Sequence, residues 1–470
     1  MNTEPSRFIE VPAVISKRLA AWMVQMIVVA ACSACGGGSG GAVTTTPVVR
    51  DTPAAAATVR TRVQVPDALT AVAPFNTPRF LTIPPGFGIK LWARVDGARF
   101  MARAPNGDIL VSNPGAGKIT LLRDTGAAVP TSFNFATGLN LPHDMVFHQI
   151  GNQIYLYLAE TNRVTRSVYN LGDTQTGQRT VVVDNLPNVS LPELKGAYSH
   201  QLKNIALSAD HRLYVSIAST CNACIEDTSS NPLRGAIYEF NADGSGQRLY
   251  ARGVRNAEGL DFRPGSNELW VAVNSRDQML YPFDNDFDGD GQSDYGKLLP
   301  AFVNQNPPDL FTRVRDGGNY GWPFCNSLPN PQMSALGLVR DFALNKDGTK
   351  LDCATVDRAS KGIRAHSAAL GMSFLTGTNV PAAYRHGAVL ALHGCWNCTR
   401  LDAGYKVIYI PVTDTGTAGV EIDLITGFVI DPDQRTVWGR PVDAIVDAKG
   451  NILVSDDYAG AIYQMFPSPR

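Results

Sequence analysis

Histidines, arginines and carboxylates stand at the ends of short apolar runs in this chain: His143 with Asp144 and Glu160, His200 with Ser219, and Arg255 and Asn256 with Asn274, Arg276 and Asp277. His366 with His393, and Arg440 with Asp456 and Asp457, extend the set. An imidazole titrates near neutral pH, so it can take a proton from a hydroxyl. A guanidinium nearby can stabilise negative charge as it develops and can hold a carboxylate through paired donors. A separate segment from Asp286 to Asp294 places Asp286, Asp288, Asp290 and Asp294 at loop positions 1, 3, 5 and 9, with Gly291 at position 6. That is calcium-loop spacing, and the glycine permits the sharp turn. Position 12 is Lys297, so a bidentate ligand has to come from elsewhere, and the expected role is structural.

These residues need a scaffold that brings distant segments together. From Phe80 onward one local pattern recurs: a short apolar strand, a tight polar turn and a second alternating strand. The copies span 102–112, 145–158, 205–217, 260–273, 370–392 and 444–455. Turns such as Pro105-Asn106-Gly107-Asp108 and Ala448-Lys449-Gly450-Asn451 carry hairpin chemistry. Six copies make a period, and four-stranded units repeated radially predict an all-β, six-bladed β-propeller over residues 80–470. The interval between the fourth and fifth copies is about twice the others, which predicts an insertion at about 278–361 between those blades. In such a blade the residues before the inner strand and after its partner lie together near the central channel, so the polar set above converges at one mouth.

The 470 residues carry 41 Lys plus Arg against 42 Asp plus Glu, so no basic footprint marks a nucleic-acid partner. Charged residues make up 18%, below the usual ~25%, alongside 43 Gly and 30 Pro, as in a turn-rich extracytoplasmic β protein. Lys17 and Arg18 precede an apolar run from Leu19 to Ala31 that ends at Cys32, with Cys35 close behind. Residues 1–35 therefore read as an export signal with a lipobox at Cys32 or Cys35, predicting a periplasmic protein that meets the membrane only through a lipid anchor. Residues 36–79 read as a flexible tether. The remaining cysteines are Cys221, Cys224, Cys325, Cys353, Cys395 and Cys398; an even count in an exported chain implies disulfides. Cys221 with Cys224 and Cys395 with Cys398 are zinc ligands or loop clips, and Cys325 with Cys353 would tie down the insertion.

The strings Ser199-His200-Gln201, Gly253-Val254-Arg255-Asn256-Ala257-Glu258-Gly259-Leu260, Gly317-Gly318-Asn319-Tyr320-Gly321-Trp322-Pro323 and Gly439-Arg440-Pro441 occur in this order. The chain thereby resembles the glucose and sorbosone dehydrogenases, quinoproteins that use pyrroloquinoline quinone (PQQ). Leu392-His393-Gly394-Cys395-Trp396-Asn397 makes it most similar to the sorbosone-type branch. The resemblance implies that His200 is the general base and that Arg255, assisted by Asn256, stabilises charge on the quinone oxygen. It places Arg440 and His393 on the cofactor, and a Ca²⁺ on the Asn274-Ser275-Arg276-Asp277 loop through Ser275 and Arg276 carbonyls and Asp277. It also implies a sugar or alcohol substrate. No His follows either Cys-x-x-Cys, so covalent c-type haem is not expected and electrons would pass to a separate acceptor. A cofactor-free propeller binding a sugar or a protein, and a calcium-dependent lactonase, share the same fold expectation. Arg255 facing His200 favours oxidation, since a lactonase rings a metal-bound water with acids. If Cys32 is lipidated, Cys32→Ser moves the protein from the membrane to the soluble periplasmic fraction on cell fractionation; a wild type already soluble refutes the anchor.

Overall fold

Strands buried on both faces need apolar residues at successive positions, with odd and even members feeding different layers. The computed structural model, which describes residues 58–376, 381–396 and 398–468, shows this arrangement blade by blade. In the strand Leu269–Asn274, Leu269, Val271 and Val273 pack toward the preceding blade, while Trp270 and Ala272 pack toward the next. In Gly387–Leu392, Ala388, Leu390 and Leu392 join one layer and Val389 the other. The core is thus divided among layers between neighbouring sheets.

The fold is a six-bladed β-propeller. The innermost strands are Met101–Arg103, Met145–Ile150, Asn204–Leu207, Asn256–Phe262, Ala369–Phe374 and Pro441–Val446, and each touches its neighbours around a closed ring. These are the first strands of the six predicted hairpins. Blades one to five are built outward in sequence order, whereas the sixth takes Pro441–Val446, Ile452–Asp456 and Ala461–Pro467 from the C-terminal end and Phe87–Arg94 from the N-terminal end.

Three carboxylates at the inner strands sew the ring at alternate junctions, two of them, Asp144 and Asp443, buried. Asp144 accepts from its neighbour Met145 N and, across to blade three, from Ile205 N at 2.9 Å. Asp261 does the same with Phe262 N and with Phe374 N of blade five, also at 2.9 Å. Asp443 pairs with Ala444 N and Met101 N, joining the last blade to the first.

Two boundaries differ from expectation. The predicted insertion contains Asp309–Val314 and ends at the start of Lys361–Ile363, and these are the third and fourth strands of blade four itself. The extra length is therefore two excursions within that blade. One of them returns Gly318–Asn319 to pair in parallel with Arg248–Arg252, the outer strand of blade three. Gly253 has φ +74°, and a Cβ there would meet Gly321 N at 2.5 Å, so the two segments approach as closely as they do because no side chain intervenes. The second difference concerns the predicted tether. Val59–Arg62 pairs with Phe80–Ile83, and Val63 and Phe75 are buried against blades five and six, because these apolar residues cover the outer end of a core layer. Residues 1–57, with both lipobox cysteines, lie outside the described residues.

Asp261→Asn keeps the size but faces one of the two N–H donors with an NH₂ group. An unsatisfied buried donor costs about 1–3 kcal/mol, so the variant should melt at lower temperature with its secondary structure intact. A melting curve superimposed on wild type removes this role for the carboxylate.

Candidate functional site

The loops at one end of blades three, four and five enclose a cleft of about 380 Å³ lined by His200, Arg255, Asn256, Asn274, Ser275, Asp277, Asp309 and His366. Asn222 and Trp396, each inside a two-residue disulfide loop, complete the wall. The sequence thus brings His200, Arg255, Asn256, Ser275 and Asp277 to one place, as expected.

His200 follows Ser199, whose N–H is tied to Thr220 O, so the ring sits beside the end of the blade's second strand. Its Nδ1 lies 2.9 Å from Ser219 O and 3.0 Å from Ser219 Oγ. A carbonyl can only accept, so Nδ1 carries the proton and Nε2 is left as the acceptor. Ser219 Oγ in turn donates to Cys221 O at 2.8 Å. Burial, reinforced by the Arg255 charge, lowers the His200 pKa to about 4. The imidazole is therefore neutral and ready to accept a proton across the physiological range.

Arg255 is buried, and its close partners are main-chain carbonyls. Nε donates to Asn222 O at 3.0 Å, and Nη1 to Ser275 O at 2.9 Å. Asp277 Oδ2 lies 3.6 Å from Nη2, beyond hydrogen-bond length. The other oxygen of Asp277 lies 3.0 Å from His366 Nδ1, while His366 Nε2 lies 2.6 Å from Val303 O. Both ring nitrogens of His366 thus face acceptors. Burial opposes its charge, but Asp277 and the carbonyl prevail and raise its pKa. Asp277 is held below the usual carboxylate range, burial being outweighed by His366 and Arg255. Asp309 accepts from Ser275 N and Ala368 N, and burial pushes it up to about 6.

Several expected residues lie elsewhere. Arg440 donates to His393 O and Gly394 O and packs over Tyr405, so it buttresses the loop behind the cleft and does not line it. His393 Nε2 lies 3.0 Å from Asp457 Oδ1, and Arg99 bonds the other oxygen at 2.9 Å. The Arg276 side chain is turned away into an ion pair with buried Asp341. Glu160 binds Arg163 and Arg179, away from the cleft lining. The three cysteine pairs are disulfides, Cys221–Cys224, Cys325–Cys353 and Cys395–Cys398, so the zinc alternative is overturned. In the acidic loop, Asp286, Asp288 and Asp294 bring oxygens within 4.8 Å of one another; Asp290 does not join them, and instead accepts from Gln292 N. Lys297, at position 12, lies 2.8 Å from Asp294.

Sequence reasoning missed Asn222, Asp309, Trp396 and the role of Glu258. Glu258 accepts from Asn256 Nδ2 at 3.1 Å and faces His143 Nε2 at 3.2 Å. Burial disfavours its charge, but His143, Arg99 and Asn256 bring it down to about 2, so Asn256 is oriented by an ionised carboxylate. The available signal for Asn222 and Trp396 was their enclosure in Cys-x-x-Cys loops.

Residues 81–466 match the model of the TrAA12-like family. This chain belongs to that family. Its fold is similar to the holo form of the PQQ domain of pyranose dehydrogenase from Coprinopsis cinerea, at 19% identity over 82% of this chain and 97% of that one, with a TM-score of 0.66. It is equally similar to a calcium structure of the carbohydrate-active enzyme family AA12 member from Trichoderma reesei, at 20% identity, 82% and 96% coverage and a TM-score of 0.66. An uncharacterized protein of Borreliella burgdorferi is 27% identical over 260 residues, 55% of this chain; the match spans 58% of that relative's length.

Arg255 disfavours the imidazolium, so removing its charge must raise the His200 pKa. In Arg255→Gln the His200 ring, followed by NMR or by pH-dependent carbethoxylation, should titrate above the wild-type value of about 4, toward 6.5. An unchanged titration would separate the two residues.

Proposed function

We propose that this TrAA12-like protein is a PQQ- and Ca²⁺-dependent dehydrogenase that oxidises an aldose or a related alcohol or aldehyde in the periplasm and passes electrons to a separate acceptor. The observation that carries the reading is the pairing, in one cleft, of a neutral His200 with a buried Arg255 whose close partners are only carbonyls. Asp277 is shared between Arg255, at 3.6 Å, and His366, at 3.0 Å, so the wall keeps positive charge that an anionic group completes. Protonated His366 adds to that wall, so the residues present fit a planar polyanion. Asp277 and the Ser275 carbonyl are oxygens that fit calcium, and both already face Arg255. Bound PQQ would supply the hydride acceptor.

In this reading the protein's own residues divide the work. His200 Nε2 takes the hydroxyl proton, with Nδ1 fixed by Ser219 so that the ring cannot flip its tautomer. Arg255 stabilises negative charge developing next to it, in a site where burial weakens solvent screening. Asn256, aligned by Glu258, offers its amide to the same cleft. The similarity to a pyranose dehydrogenase domain supports a sugar substrate, and the sorbosone-type assignment is a narrower form of the same proposal. In the outer loop, Asp286, Asp288 and Asp294 are proposed to hold a second, structural calcium.

The test is to add PQQ, with and without Ca²⁺, to the purified protein and follow dye reduction over a panel of sugars and alcohols. His200→Gln should retain PQQ while turnover falls by roughly 10²–10⁴. Full activity in this variant sinks the base assignment, and loss of PQQ makes His200 an anchor. A wild type that binds no PQQ in calcium buffer promotes the cofactor-free propeller.

A further inference from the structure

The Cys221–Cys224 loop reaches both halves of the reactive pair. On one side Cys221 O accepts from Ser219 Oγ, the hydroxyl that faces His200 Nδ1. On the other side Asn222 O accepts from Arg255 Nε at 3.0 Å and from the indole Nε1 of Trp322 at 3.1 Å. The Asn222 side chain turns toward blade four and pairs with the main chain of Asp277: Oδ1 accepts from Asp277 N at 2.7 Å, and Nδ2 donates to Asp277 O at 2.8 Å. The loop therefore links four parts: Cys221 reaches the base through Ser219, and Asn222 joins the guanidinium, the loop that carries Asp277, and the Gly-Trp-Pro strap.

We propose that Asn222 is a positioning residue, and that the Cys221–Cys224 disulfide exists to hold it, so that Arg255 and Asp277 keep one geometry relative to His200. The physical need is specific. Arg255 is buried and bonded to carbonyls alone, so its orientation depends on where those carbonyls point, and a four-residue loop left open samples many directions. Closing it around the two residues between the cysteines fixes the Asn222 carbonyl and amide together. The pairing of that amide with both polar groups of Asp277 is an amide-to-backbone match that neither a carboxylate nor an aliphatic side chain reproduces. The charges that act on His200 are those of Arg255, Glu258 and Asp277, and Asn222 bonds to two of these three residues. The inference rests on the reading of His200 and Arg255 as the reactive pair.

The test uses three variants of the full chain: Asn222→Ala, Asn222→Asp and the pair Cys221→Ser with Cys224→Ser. The first readout is free of substrate and cofactor. Of six tryptophan indoles, the Trp322 N–H signal in a ¹⁵N–¹H spectrum should move in all three variants. The second is a split of kinetic constants with PQQ and calcium present. Misplacing a reactive group by about 1 Å costs up to roughly 10²-fold, so kcat should fall by about 10- to 100-fold while KM for the sugar stays within about twofold. Asn222→Asp should do no better than Asn222→Ala, since it sets an oxygen against Asp277 O; a role in mere space-filling would leave it near wild type. If the double cysteine variant does not fold, the two Asn222 variants, which keep the disulfide, carry the test. An unmoved indole signal, or kcat within about twofold of wild type in both Asn222 variants, overturns the proposal. A wild type without PQQ-dependent turnover strikes the dehydrogenase reading alone, because the indole shift still reports on the clamp.

Discussion

Everything in this molecule depends on ring closure: Phe87–Arg94, near the start of the described chain, must pair with Ala461–Pro467 at its end. Without that register, from Phe87 opposite Pro467 to Arg94 opposite Ala461, blade six lacks its outer strand and the core layer between blades six and one loses Trp92 and Ala93. Such a closure is a contact between sequence-distant segments, so its loop entropy is offset only when all six layers form together. The three Asp staples make the same demand from the inside. Each joins inner strands of neighbouring blades, and Asp443 bridges the last blade to the first. The inner strands then hold their ends at fixed positions around a channel, which is what lets His200, Arg255 and His366 share one cleft.

Polar groups at that mouth are expensive to bury, and the structure meets the cost with main-chain oxygens more than with opposite charges. Arg255 takes carbonyls from Asn222 and Ser275, Arg440 from His393 and Gly394, and His366 from Val303. A carbonyl satisfies a donor without neutralising it. Cations so held keep their field, and the lowered His200 pKa is one result of that field acting together with burial.

How much of this was legible follows from what leaves a periodic trace. The second strand of each blade is buried on both faces, so Leu269-Trp270-Val271-Ala272-Val273 reads as a strand in any window, and its five repeats elsewhere revealed the blade number. Position along a blade is equally regular, which placed His200, Arg255 and Asp277 at the mouth. Irregular contacts leave no such trace. Asp309–Val314 and Lys361–Ile363 belong to blade four, but the excursions on either side of the former hid them in what looked like an insertion. Val63 and Phe75 are isolated apolar residues among prolines and threonines, yet they cap a core layer. Arg440 occupies the expected position on the last blade, but its side-chain direction is set by two carbonyls of another blade, which no spacing in its own strand encodes.

One carboxylate remains to be placed in this scheme. Asp277 is shared: Oδ1 serves His366 at 3.0 Å, and Oδ2 stands 3.6 Å from Arg255. Two cations thus lean on a single close anion, since both oxygens of Asp309 are taken up by main-chain N–H groups. Had Asp277 approached Arg255 as closely as it does His366, a tight ion pair would have weakened the positive wall and the charge that reinforces burial in lowering the His200 pKa. Asn222 grips Asp277 at both its N–H and its C=O, which holds the main chain from which that carboxylate reaches the two cations. In the proposed reading, the cleft's fit to an anion depends on main-chain pairing at Asp277 as well as on the side chains that line the wall.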